Sequence, residues 1–72
     1  MEDTVYLQRL GERIVELRKA KGITQQELAE RLGTKNTQVR RIERGTVNST
    51  INMLRKIAVE LEIPISDLVN FE

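Results

Sequence analysis

The run Thr24-Gln25-Gln26-Glu27-Leu28-Ala29-Glu30-Arg31-Leu32-Gly33, followed by Thr34-Lys35-Asn36-Thr37-Gln38-Val39-Arg40-Arg41-Ile42-Glu43-Arg44-Gly45, decides how this chain folds. Thr24 and Glu27 are three apart, the spacing at which a threonine caps a first helical turn and a glutamate reaches back to the cap. Leu28, Ala29 and Leu32 then fall on one helical face, and Gly33 ends the segment. A third helix follows within two or three residues. Val39 and Ile42 are its only apolar side chains, so its buried stripe is narrow and most of its surface faces outward. Gly45 stops it. Two short helices joined by a tight glycine turn, over about residues 24–44, make a helix-turn-helix. The second helix of such a corner fits the B-form major groove while the first crosses the backbone above it.

Outward from this corner the helical period continues. Leu7, Leu10, Ile14 and Leu17 form one stripe of a helix from about Thr4 to Lys21, which Gly22 ends. Gly11 lies inside it, where glycine costs ~1 kcal/mol relative to alanine, and close packing against another helix is the reading that explains it. Downstream, Thr46 to Ser49 form a polar loop and Thr50 caps a fourth helix. Its stripe is Met53 or Leu54, with Ile57, Ala58 and Leu61, and Pro64 is expected to break it. Ser66-Asp67 start a last short turn that carries Leu68 and Val69 inward. Strand signals, repeats and linkers are absent. The chain reads as a single all-α domain of five helices over residues 1–72.

Composition excludes whole classes of chemistry. With 72 residues and neither cysteine nor histidine, the chain has no disulfide framework, thiol nucleophile, imidazole base or ordinary zinc set. A domain this small usually needs staples or very regular packing, so regular packing or association must supply stability. One Tyr, one Phe and no Trp are too few for a base-stacking platform that would hold single strands. No apolar run reaches 18 residues and the chain starts Met1-Glu2-Asp3, so neither a membrane span nor a signal peptide is expected. A cytoplasmic protein follows as the expectation. Carboxylates such as Glu12 and Glu16 occur without a nucleophile and base pair or a phosphate-cradling loop, so no enzyme, metal, cofactor or small-molecule ligand is expected.

The net charge is only +1, but it is unevenly spread. Residues 34–45 hold four basic side chains (Lys35, Arg40, Arg41, Arg44) and one acidic one (Glu43), giving +3 on the third helix. Positive charge concentrated on the outward helix of a helix-turn-helix points to an anionic partner.

The residues of this corner resemble a known family. Gly22-Ile23-Thr24-Gln25-Gln26-Glu27-Leu28-Ala29, Leu32-Gly33, Val39 and Ile42-Glu43-Arg44-Gly45 are similar to the Xre family of phage-repressor and Cro-like domains. Leu10-Gly11-Glu12-Arg13-Ile14 and Leu17-Arg18 fit the family's first helix. Leu54, Lys56-Ile57-Ala58, Leu61 and Ile65-Ser66-Asp67-Leu68 fit its fourth and fifth, so the resemblance spans about residues 9–69.

The resemblance implies a compact five-helix, lambda-repressor-like fold and a transcription regulator, such as a repressor, that binds double-stranded DNA sequence-specifically. It implies that Gln25 anchors to a phosphate, and that Lys35, Asn36, Thr37 and Arg41 read bases. A carboxamide such as that of Asn36 pairs bidentately with adenine, and a guanidinium such as that of Arg41 pairs with guanine. Arg40 replaces the family's usual serine and either reads a base or sits over a phosphate. Arg44, Thr46, Asn48 and Ser49 would face phosphates. Arg18 and Glu43 match a buried pair with a structural role, which makes sense together because a lone buried charge is costly.

Two departures stand out. Lys35 occupies the position where the family caps its reading helix with Ser or Thr, so Thr34 is the candidate cap instead, which would shift the helix start. Ser49 replaces a common proline.

A homodimer on a palindromic operator is the expected working form, because one reading helix contacts too few base pairs to stand out against non-specific sites. Ile65, Leu68, Val69 and Phe71 are more apolar groups than a short terminal turn can bury alone, which makes them the expected seam; the residues around Val5 and Tyr6 are the alternative. The rival function is an antitoxin-like or protein-docking module of the same fold, using Val5, Tyr6, Val15, Val69 and Phe71. Against it, Lys35 to Arg41 is polar and basic except for Val39.

Overall fold

The computed structural model describes residues 3–71 and arranges them as α1 (Asp3–Ala20), α2 (Gln25–Leu32), α3 (Asn36–Arg44), α4 (Ile51–Glu60) and α5 (Ile65–Val69). No strand occurs among the described residues, and Met1, Glu2 (from the charged start read above) and Glu72 lie outside them.

Helix starts follow side-chain chemistry. Thr24 caps α2: its Oγ1 accepts the Glu27 N–H at 3.1 Å and its own N–H donates to Glu27 Oε1 at 3.1 Å. Thr50 caps α4 by accepting the Met53 N–H at 3.1 Å. The last stop differs from expectation. Pro64 does not break α4; the helix is already over at Glu60, and Glu62 turns the chain with a left-handed φ of 59°. The Ile63 N–H then donates to the Ala58 carbonyl (3.0 Å) and the Glu62 N–H to that of Val59 (3.1 Å), so the open carbonyls are satisfied. Lys21 Nζ meets the Glu62 carboxylate at 2.6 Å. Pro64 instead precedes α5, where its fixed φ suits a helix entry, and α5 begins at Ile65, one residue before Ser66. A glutamate in a left-handed turn carries no sequence signal, which is why the proline looked like the stop.

Side chains from all five helices meet in one core, with Ile14, Leu28, Val39, Ile57, Leu61 and Leu68 fully buried. Of the alternatives on α4, Leu54 is the core residue and Met53 is half-buried. Ile23, in the loop before α2, is a core residue as well. The closest approach is between α1 and α3. A Cβ on Gly11 would collide with the backbone carbonyl of Glu43, so the mid-helix glycine is where the α3 backbone lies on α1. Gly45 combines a left-handed φ of 72° with a second contact, since a Cβ there would stand 2.7 Å from Gln8 Cα. Two backbone contacts therefore fix how α3 lies on α1, and with it which side of α3 faces outward.

Candidate nucleic-acid interface

α3 begins without a side-chain cap. Lys35 is its N-cap residue, with extended φ −88° and ψ 150°, and no side chain accepts the first N–H groups. The expectation that Thr34 would cap is therefore corrected: the helix starts at Asn36 because the Lys35 carbonyl already accepts from the Gln38 N–H at 3.0 Å. Three residues of α3 are buried, Val39, Ile42 and Glu43. Lys35, Thr37, Arg40, Arg41 and Arg44 are exposed, while Asn36 and Gln38 are half-buried.

Turning Glu43 inward changes the electrostatics of the helix. The sole carboxylate of the segment is 7% exposed and is neutralised from behind, so all the outward charge is positive. Arg18, also 7% exposed, donates from Nε to Glu43 Oε2 at 2.7 Å and from Nη2 to Oε1 at 3.1 Å. Its Nη1 donates to the Ile23 carbonyl at 2.8 Å. Gln25 Nε2 completes the set, donating to Glu43 Oε1 at 2.8 Å. A buried ion pair repays its desolvation only when geometry is good and the remaining groups are bonded, and here both hold. The network ties α1, the α1–α2 loop and α2 to α3.

Gln25 is thus tied to the support behind α3. One N–H of its carboxamide is committed to Glu43, leaving the second for an outside acceptor. Below it, the two hydrogen bonds from Thr24, backbone first, hold the Glu27 carboxyl below its ordinary 4.5. Beyond α3, Thr46 and Asn48 are exposed and Ser49 is half-buried. Thr46 Oγ1 donates to the Arg41 carbonyl at 3.1 Å, closing the C-terminal turn of α3.

The expected seam needs correction. Leu68 is fully buried and belongs to the core, so it has nothing to offer a partner. Ile65, Val69 and Phe71 are half-buried. Phe71 folds back on Tyr6, ring centroids 5.2 Å apart, and the Tyr6 hydroxyl donates to the Val69 carbonyl at 2.7 Å. The two expected seams, one at each end of the chain, are therefore parts of one surface. Of the residues suggested for protein docking, Val5 is exposed (39%), while Tyr6, Val15, Val69 and Phe71 are half-buried.

Sequence reasoning passed over Gln38. It lines an open cleft of about 670 Å³ together with Gly33, Thr34, Lys35, Thr37 and Arg41. Its spacing of three from Arg41 was the available signal, since residues three and four apart share a helical ridge.

Comparison with known proteins agrees with this geometry. The Helix-turn-helix family model HTH_3 matches residues 14–68. The HTH-type transcriptional regulator SinR of Bacillus licheniformis is 36% identical over 62 residues, covering 85% of this chain; the chain spans 56% of that protein's length. Among solved structures, the restriction-modification controller protein C.AhdI of Aeromonas hydrophila is 37% identical with a TM-score of 0.83, over 86% of this chain and 94% of its own. SinR, the master regulator for biofilm formation, solved in complex with DNA, is 34% identical with a TM-score of 0.79, over 85% of this chain and 98% of that one. A match over most of the chain, in sequence and in fold, leads to one conclusion: this chain belongs to the Xre-like helix-turn-helix family.

Proposed function

We propose that the protein is a sequence-specific, double-stranded-DNA-binding transcription regulator that works in the cytoplasm. It inserts α3 into the major groove as a homodimer on a palindromic operator. One observation carries the reading: α3 with its cap residue presents four exposed cations while its carboxylate is buried and paired. A helix with that face suits a groove lined by phosphates. The relative solved with DNA supports it. In this reading Lys35, Thr37 and Arg41 meet base edges. Arg40, on the other flank of α3, meets a base or a phosphate. Arg44, Thr46, Asn48, Ser49 and the second carboxamide N–H of Gln25 meet phosphates.

The size of the domain fits a two-fold arrangement. Its longest extent is 31 Å, close to the roughly 34–36 Å that separates half-sites one helical turn apart. Copies side by side, joined through the half-buried edges of Ile65, Val69 and Phe71, place two reading helices on one face of the duplex.

Selection of bound duplexes from a random pool, followed by titration of the selected site at several salt concentrations, tests the reading. A palindromic motif is expected. Affinity should fall with a log–log slope of about −0.9 for each phosphate neutralised by a cation, so the basic side chains of α3, counted on both protomers, give a steep dependence. An affinity flat from low to moderate salt, with no enriched sequence, would overturn it.

A further inference from the structure

We infer that Gln38 is a specificity-determining residue of α3, the carboxamide that reads an adenine, and that Asn36 is a positioning residue at the helix start. The inference rests on the DNA-binding reading above and assigns one base contact within it.

Two observations separate these carboxamides. The Asn36 Oδ1 atom is buried and has no hydrogen-bond partner among the described residues. Recognition of adenine by a carboxamide needs both ends at once, the oxygen accepting from N6–H and the NH₂ donating to N7. A carboxamide whose oxygen is enclosed by its own protein cannot present that pair of atoms to a base edge. The helical phase agrees. At 100° per residue, Asn36 falls about 60° from Val39 on the side of buried Glu43, whereas Thr37 and Arg41 point away from the core.

Gln38 stands on the opposite flank. It lines the cleft of about 670 Å³ with Lys35, Thr37 and Arg41, and Asn36 and Arg40 do not border that cleft. Arg41 is three residues on from Gln38 and about 60° away around the helix, so their heads emerge one above the other along one ridge. The Gln38 side chain makes no hydrogen bond among the described residues and neither end of its carboxamide is buried, so both ends remain for a base. Glutamine is one methylene longer than asparagine, which extends its reach from a half-buried root. Thr37 and Gln38, four and three residues before Arg41, therefore lie on either side of it with a small hydroxyl and a carboxamide: an adenine reader beside a guanine reader.

The test is selection from random duplexes with the full chain, run in parallel on the parent, Gln38→Ala, Gln38→Glu and Asn36→Ala, with circular dichroism melts for each. The parent should select adenine at one position of each half-site, neighbouring the base that Arg41 sets. Gln38→Ala should lose that preference, with affinity for the parent site falling about 5- to 150-fold, the range of a bidentate base contact. Gln38→Glu should move the preference at that position to cytosine, whose N4 donates to a carboxylate. This gain of a new preference requires a folded protein and so separates reading from stability. Asn36→Ala should leave the selected sequence unchanged and affect only the melt. A Gln38→Ala motif identical to the parent's overturns the inference, as does loss of an adenine in Asn36→Ala alone. A parent that enriches no sequence at any salt overturns the DNA-binding reading itself, and the assignment with it.

Discussion

α2 and α3 are consecutive, nearly equal helices of 8 and 9 residues, each closed by a left-handed glycine, yet they are stabilised in opposite ways. α2 is finished within its own segment. Thr24 and Glu27 satisfy each other's backbone donors, and its outer face mixes Glu27, Glu30 and Arg31. α3 is finished from behind and open in front. Its one inward carboxylate is held by Arg18 and Gln25, from α1 and α2, while its start has no side-chain cap and its exposed charges are all positive. In the DNA-binding reading proposed above, the difference teaches what each helix is for: α2 is a scaffold, and α3 is a surface held from behind so that the duplex can complete it.

The largest effect should come from removing the support behind α3. Glu43→Ala leaves the Arg18 guanidinium buried with two of its bonds gone and should destabilise the fold by about 3–5 kcal/mol. Urea unfolding measures this directly. A midpoint equal to the parent's would mean that α3 does not depend on α1 and α2 in this way.

In front of α3 the opposite pattern is expected. Arg41 is exposed and its side chain makes no hydrogen bond or ion pair among the described residues, so Arg41→Ala should leave the urea midpoint nearly unchanged. Affinity for the selected site should fall by about 1–3 kcal/mol, with one base pair of the motif relaxed. Loss of stability instead of specificity would erase the contrast between the two sides of the helix.

For α2 the support is local, so the expected loss is smaller. Thr24→Ala removes the cap and should cost about 1 kcal/mol at neutral pH, as read by thermal melting. The capping box also has a pH dependence of definite sign. Thr24 holds the Glu27 carboxyl below its ordinary 4.5, so this contribution is present above that value and is lost as pH falls through the lowered one. The Glu62 carboxyl, held down by Lys21, behaves with the same sign but is retained in the variant. The main donor, the Thr24 backbone N–H, survives in Thr24→Ala, so the charge-dependent part is removed by Glu27→Gln instead, whose melting curve should converge with the parent's in acid. A gap that stays constant from neutral pH down to strongly acid pH would show that the capping box contributes no charge-dependent stability.

The same contrast explains what the sequence made legible. α2 is readable because its determinants lie within its own ten residues: Thr24, Glu27, the Leu28–Leu32 stripe and Gly33. The site on α3 is harder because its determinants are distant in sequence. That Gln25 donates to Glu43 depends on a partner 18 residues away, and a glutamine in a first helical turn gives no hint of it. The inward turn of Asn36 follows from where a nine-residue helix begins, and Lys35, which cannot cap, blurred that start. The resemblance to a family supplied the Arg18–Glu43 pair; periodicity alone would have marked both as misplaced charges. At the other end, Leu68 looked like surplus apolar surface because the sequence does not show that α5 turns it into the core while Tyr6 clasps Val69 and Phe71.

The smallest effect tests the open start of α3. Lys35 already has the extended backbone that an N-cap residue needs, lacking only a side chain able to accept the free N–H groups. Lys35→Ser supplies that acceptor without altering the chain path. Stability should rise by about 0.5–1 kcal/mol, which for a domain of this size raises the melting temperature by a few degrees, roughly 2–8 °C. The same change removes a cation from the outward face, so binding to the selected duplex should weaken. If Lys35 meets a phosphate, the salt slope should become shallower by about 0.9; if it meets a base edge, one position of the motif should relax instead. Either result makes the uncapped start an exchange of local stability for contact with the partner. Greater stability with binding unchanged would show that Lys35 contributes nothing to the partner's surface and that α3 is uncapped for no functional reason.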